Sequence, residues 1–153
     1  MVSQGKIKDR ISDTNWLIYV LKLENNKFYI GITTDITKRF SEHKLQSKNC
    51  ANWCKKHKPL KIIETINTNF KNMYEATLLE DIYTLKYIQE YGTENVRGGR
   101  FLGSLAQINS KVNSYLTRGS FFEYTDKHNR IYSKHLKWQG EIKTQKITKP
   151  KYK

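Results

Sequence analysis

The chain has 153 residues, room for one domain with a hydrophobic core and a small appendage but not for two full domains. Lys and Arg number 28 against 14 Asp and Glu, a formal charge of +14 that favours a polyanionic partner, nucleic acid first among them. No run approaches the roughly 20 apolar residues that span a bilayer, the opening residues lack an apolar signal region, and two cysteines are too few for a disulfide framework. The expectation is a soluble, intracellular protein with no membrane partner. Lysine far outnumbers arginine, and Asn, Ile and Tyr are plentiful, the codon bias of an AT-rich genome such as that of a virus, a mobile element or an AT-rich microbe.

Residues 1–14 form a polar lead-in in which Ile7 and Ile11 can share one face of a short helix. Residues 16–23 and 28–33 are β-prone and flank Asn25-Asn26-Lys27, so they predict an antiparallel hairpin. Asp35 supplies an N-cap, and Ile36, Phe40 and Leu45 anchor a predicted helix over 36–47. That helix carries Lys38, Arg39 and His43, and the spacing of four puts Arg39 and His43 on one face. Residues 52–58 predict a helical turn closed by Pro59, and 60–66 a third strand with Ile62, Ile63 and Ile66 as its apolar content. The longest helical signal runs over 69–91, with a stripe of Leu78, Ile82, Leu85 and Ile88 and Gly92 as its C′ residue. Glu80 lies off the stripe, which by periodicity alone makes it a solvated residue. Residues 96–100 read as a flexible basic loop whose paired glycines allow close approach to a ligand. Leu105, Ile108, Val112 and Leu116 mark a further helix ending near Gly119. A second hairpin follows over 120–138, turning at residues 126–129, and the lysine-rich last dozen residues are expected to be disordered.

Cleaving a phosphodiester at neutral pH needs a nucleophilic water, positive charge beside the pentavalent phosphate and stabilisation of the leaving oxygen. A single carboxylate can hold a divalent ion for the last two tasks, and Glu80 is the candidate ligand, with Asp81 as the fallback. Arg39 suits the scissile phosphate because its planar fork makes fixed cationic hydrogen bonds. His43 can relay a proton or hold a tyrosinate. A phenol of ordinary pKa ~10 is a poor base at pH 7, so Tyr19 or Tyr29 needs a nearby cation.

In these residues the chain resembles the GIY-YIG nuclease superfamily. Leu17-Ile18-Tyr19 stands for the first tripeptide with its leading glycine replaced, and Tyr29-Ile30-Gly31 matches the second in full. The segment Thr37 to His43 is similar to the family's arginine helix, including a histidine four residues on. The segment Glu75 to Glu80 is similar to its glutamate helix, and Asn95 to its late asparagine. The four elements in order over about residues 15–100 carry the resemblance. It implies an α/β domain with a small three-stranded antiparallel sheet flanked by helices, followed by the C-terminal helix and hairpin over 101–141 and the basic tail over 142–153. It also implies hydrolysis of DNA, double-stranded or branched, with one Mg²⁺ or Mn²⁺ and no other cofactor. The implied site is Tyr19, Tyr29, Arg39, His43 and Glu80, with Tyr19 as base or water-orienting group and Glu80 as metal ligand.

Each residue also has a plainer reading: the tyrosines as cross-strand packing, Arg39 and His43 as a solvated helix face, Glu80 as a surface carboxylate. A nucleic-acid-binding module without catalysis and a basic packaging protein are the rival functions. Cys50, Cys54 and His57, joined by His43, raise a zinc site as an alternative to free thiols. Lys38, Asn95, Arg97, Arg100, Lys127, Lys134 and Lys137 are expected to contact nucleic acid without reading its sequence. Tyr124, Tyr132 and Trp138 could stack on unpaired bases or pack internally.

Overall fold

A computed structural model describes residues 12–117 throughout, and beyond them only the backbone of Arg118 and of the strands Ser120–Thr125, Arg130–Leu136 and Lys151–Tyr152. Ile7 and Ile11, the turn with Lys127, and Lys137 and Trp138 lie outside the described residues, as do the side chains of Tyr124, Tyr132 and Lys134.

The predicted hairpin forms β1 (Leu17–Leu23) and β2 (Lys27–Thr33), paired so that Tyr19 faces Gly31 and Val20 faces Ile30. The connection is tight because Asn25 and Asn26 take left-handed backbone angles, φ 62° and 58°, a conformation asparagine tolerates better than most residues. The third predicted strand is β3 (Pro59–Asn67), antiparallel to β1 on its other side.

The sheet does not stop at three antiparallel strands. Residues 96–100, expected as a flexible loop, contribute β4 (Val96–Gly98), which pairs parallel with Phe28–Ile30 of β2 and gives the order β3-β1-β2-β4. The free edge of β2 requires partners for its backbone groups, and the Phe28 N–H finds one in the Asn95 carbonyl at 2.8 Å. Val96 is fully buried. Gly98 is obligatory there, since a Cβ on it would lie 2.4 Å from the Ile30 carbonyl oxygen. A bridge between Gly98 and Phe101 then ends the strand after three residues, with Gly99 in the left-handed region at φ 49°.

The helices are α1 (Ile36–Lys44), α2 (Asn52–Lys56), α3 (Met73–Tyr91) and α4 (Leu105–Arg118). Asp35 caps α1 by accepting the Lys38 N–H at 3.0 Å, and Asn72 caps α3 through the Tyr74 N–H at 2.8 Å. Both helices are shorter than predicted because Gln46 and Asn69 adopt positive φ just outside them. β1 is buried on both faces, so its period-two alternation feeds two cores. Ile18, Val20 and Ile30 pack against Leu78, Ile82, Leu85 and Ile88 of α3 and Ile108 and Tyr115 of α4. Tyr19, Leu21 and Leu23 pack on the other face with Cys50, Cys54, Ile36, Phe40 and Trp53. The result is a mixed sheet between helical layers, the expected α/β class with a fourth strand.

The second hairpin forms as β5 (Ser120–Thr125) and β6 (Arg130–Leu136). The tail was expected to be disordered throughout, but Lys151–Tyr152 pairs with the open edge of β6 as β7. No helix among the described residues is long and apolar enough to cross a membrane.

Candidate active site

The alternation of β1 turns Tyr19 toward α1, where it is 1% exposed. Its ring lies across Gly31 on the neighbouring strand, and a Cβ at that glycine would sit 2.3 Å from the phenol oxygen. Tyr29, two residues earlier on the same face of β2, brings its ring centroid to 6.3 Å from that of Tyr19. From α1, Arg39 Nε donates to Tyr19 Oη at 3.4 Å and His43 Nε2 lies 2.9 Å from the same oxygen. The i, i+4 spacing thus delivers both cation and imidazole to one phenol.

The backbone decides which way the imidazole is protonated. The Ala51 N–H donates to His43 Nδ1 at 3.3 Å, so Nδ1 presents its lone pair and the proton resides on Nε2. His43 therefore donates to Tyr19. Burial, reinforced by Arg39, pushes the His43 pKa down to about 4, and the ring is neutral at physiological pH. Tyr19 Oη thus accepts two hydrogen bonds, and its own proton is left to point elsewhere. Burial, then the neighbouring Tyr29, holds Tyr19 well above the ordinary phenol range, with Arg39 pulling the other way. Arg39 is itself clamped: Nη1 donates to the Asn49 carbonyl at 2.8 Å and to Glu42 at 3.4 Å, and Glu42 accepts from Asn49 Nδ2 at 3.0 Å. Tyr29 stands edge-on to His43, and its hydroxyl has no hydrogen-bond partner among the described residues.

Glu80 is not the solvated residue its periodicity implied. Nearly all faces of α3 are covered, and Glu80 is only 9% exposed. Thr84, one turn along, lies against Gly98 at the end of β4, so Glu80 sits just past the point where β4 stops covering β2. Its charge bears on both Tyr19 and Tyr29, pushing each phenol pKa up. Among the described residues no group donates a hydrogen bond to its carboxylate, and burial, aided by Asp81, raises its pKa well above the ordinary value. Among the described residues it forms no salt bridge, Arg100 and Lys111 only sharing its recess, and such a carboxylate fits a divalent cation. Asp81 does not compete for that task, because the Arg100 backbone N–H and Nε both donate to it at 2.9 Å.

The remaining predicted residues divide. Lys38 is exposed beside Arg39 on α1, and Arg100 is partly exposed above the Tyr115 ring. Asn95 is engaged in structure, its Oδ1 accepting from Lys27 Nζ at 2.7 Å and its Nδ2 donating to the Tyr91 carbonyl. Arg97, expected as an exposed loop cation, is 6% exposed. Its Nε donates to the Gly103 carbonyl and its Nη1 to the carbonyls of Thr93 and Val96, because the strand that carries it is built into the sheet. Cys50 and Cys54 are buried free thiols, and burial pushes Cys54 up to about 12. No group of three or more His, Cys, Asp or Glu among the described residues is arranged to hold a metal. His57 instead packs edge-on against Trp53. Sequence reasoning missed Glu42, Asn49 and Ala51. The i, i+3 spacing from Arg39 marks Glu42, whereas the Asn49 carbonyl that holds Arg39 and the Ala51 N–H are backbone groups that no side chain advertises.

An open mixed sheet presenting two phenols, an arginine and a histidine on one side, with a buried carboxylate at the end of a short edge strand, defines a domain of the nuclease-fold class. Residues 15–97 match the family model of the GIY-YIG catalytic domain, more than half of the chain, and the chain belongs to that family. It is similar to a UPF0213 protein of Cupriavidus necator, 33% identical over 61 residues that make up 40% of this chain and 64% of that protein. It is also similar to a UPF0213 protein of Cupriavidus pinatubonensis, 33% identical over 51 residues (33% and 54% of the two chains). UPF0213 protein YhbQ of Escherichia coli is 43% identical over 30 residues (20% and 30%). The chain thus spans less than two thirds of the length of these relatives. No solved structure matches it.

Proposed function

We propose that the chain is a DNA endonuclease that hydrolyses phosphodiester bonds with Mg²⁺ or Mn²⁺ at Tyr19, Tyr29, Arg39, His43 and Glu80. The observation that carries this reading is the Tyr19 hydroxyl held as a double acceptor by His43 Nε2–H and Arg39 Nε–H. With both lone pairs engaged, the neutral phenol meets a nucleophilic water as a donor and fixes that oxygen in place. As base, Tyr19 would give this proton to solvent hydroxide, leaving a phenolate held by the same two donors, and take a proton back from the attacking water. Arg39, anchored through Nη1, turns the rest of its guanidinium to the negative charge of the phosphate. Tyr29 lines the adjoining cleft with Arg39. Glu80 would hold the divalent ion, which when bound supplies positive charge to the phosphate and leaving oxygen.

The test is incubation of wild type and Glu80→Ala with supercoiled, branched and single-stranded DNA, with and without Mg²⁺. Cleavage by wild type alone, lost by ~10²-fold or more in the variant, is the expected result. Unchanged cleavage by the variant overturns the metal-ligand role. No cleavage of any substrate turns the reading to a binding module on the same fold.

A further inference from the structure

Beside Tyr29 and Arg39 opens a cleft of about 690 Å³ whose other walls come from α2, from Arg97 on β4 and from the start of α4. Three cations, Arg39, Lys56 and Arg97, line it, and no carboxylate does. Arg97 is placed there deliberately by its surroundings: three carbonyls hold its Nε and Nη1, its Nη2 has no hydrogen-bond partner among the described residues, and its guanidinium lies 4.4 Å from the centre of the Trp53 ring. Trp53 is fixed in turn by its Nε1 donating to the Phe28 carbonyl at 3.0 Å. The rim is apolar, with Leu102 and Leu105 each 46% exposed. A surface that met only a duplex backbone would have no use for two exposed leucines and an indole at its cationic floor.

We infer that this cleft receives one unpaired nucleotide of the strand being cut, its base against Trp53, Leu102 and Leu105 and its phosphate facing Arg39, Lys56 and Arg97. Charge complementarity selects an anion, and the apolar and aromatic walls select one that carries a flat ring system. The volume falls within the ~300–1,000 Å³ typical of sites that enclose one small ligand. A base stacked inside a duplex cannot enter such a cleft, so the substrate class is DNA with a single-stranded segment, a tail, flap or unpaired junction nucleotide. The inference rests on the nuclease reading for the identity of that strand.

Its test separates the two. Fluorescence anisotropy in EDTA, which prevents metal-dependent cutting, compares a blunt duplex with the same duplex carrying a single-stranded tail. The proteins are wild type and the double variant Leu102→Ala, Leu105→Ala, whose exposed side chains leave the fold intact, as a melting curve verifies. Wild type should bind the tailed DNA about tenfold tighter, the size of a base-stacking contribution, and the double variant should bind it no tighter than the blunt duplex. Equal binding of both DNAs by wild type, or a preference that survives in the double variant, overturns the cleft assignment. The same DNAs are then given Mg²⁺. A tail preference without cleavage upholds the cleft and defeats the nuclease reading, whereas equal cleavage of both DNAs without a binding preference does the reverse.

Discussion

Tyr19 and Gly31 are cross-strand partners at van der Waals contact, and a methyl group on Gly31 would come within 2.3 Å of the Tyr19 hydroxyl oxygen. Tyr19 is fully buried and tied to His43, so it cannot swing clear. Gly31→Ala should therefore destabilise the fold by ~1–3 kcal/mol through overpacking and cost far more in DNA cleavage than in stability. Thermal melting and a cleavage time course on the same sample check this. Unaltered cleavage would mean that the phenol position is not catalytic.

His43 is a hydrogen-bond donor rather than a titrating base over the physiological range, since burial brings its pKa down to about 4. His43→Gln can still place an N–H on Tyr19 and should retain more activity than His43→Ala. In the wild type no titration of His43 should show in cleavage between pH 5.5 and 8. The unfolded chain binds the proton near the ordinary value of 6.5 and the folded chain only near 4, so His43 contributes stability above 6.5 that is lost as pH falls through that interval. Denaturant midpoints of wild type and His43→Gln between pH 4 and 7 measure it.

Glu80 has the opposite sign. Its pKa is raised in the fold, so the native state binds the proton more tightly than the unfolded chain, and stability declines as pH rises from the ordinary 4.5 through the raised value. Glu80→Gln should melt higher than wild type at pH 8, by a few degrees for each kcal/mol relieved, and the gap should close near pH 4. Mg²⁺ should raise the melting temperature of wild type at pH 8 and leave the variant unmoved. Equal melting of the two proteins at pH 8 would contradict an uncompensated carboxylate.

Arg100 anchors the turn after β4 through Asp81, a buried partner at 2.9 Å, while its own side chain is 41% exposed. Arg100→Ala leaves the carboxylate without its cation and should cost ~1–3 kcal/mol at pH 7, less than a fully buried pair because of the solvent access. The loss should vanish as pH falls below about 3.8, where Asp81 is protonated with or without Arg100. Urea unfolding at pH 3.5 and pH 7 tests both halves.

What could be seen in the sequence is what is local. The hairpin, the Asp35 cap and the four-residue step from Arg39 to His43 depend on neighbours in the chain, and those elements stand where predicted. The burial of Glu80 depends on α3 being packed on several sides at once, which a single-stripe pattern does not encode. β4 escaped because three residues carry too little periodicity and because its partner strand lies more than sixty residues earlier. The Ala51 N–H that sets the His43 proton has no side-chain signature at all.

The brevity of β4 has a meaning for the site as a whole. It covers β2 only as far as Ile30, and the turn at Gly98 and Phe101 leads the chain away before Gly31. Two more paired residues would carry backbone along the edge of β2 past Gly31, the glycine over which the Tyr19 ring lies. The strand's early end leaves the edge of β2 from Gly31 onward without a paired strand among the described residues, between the helical layer that carries Glu80 and the one that carries Arg39 and His43.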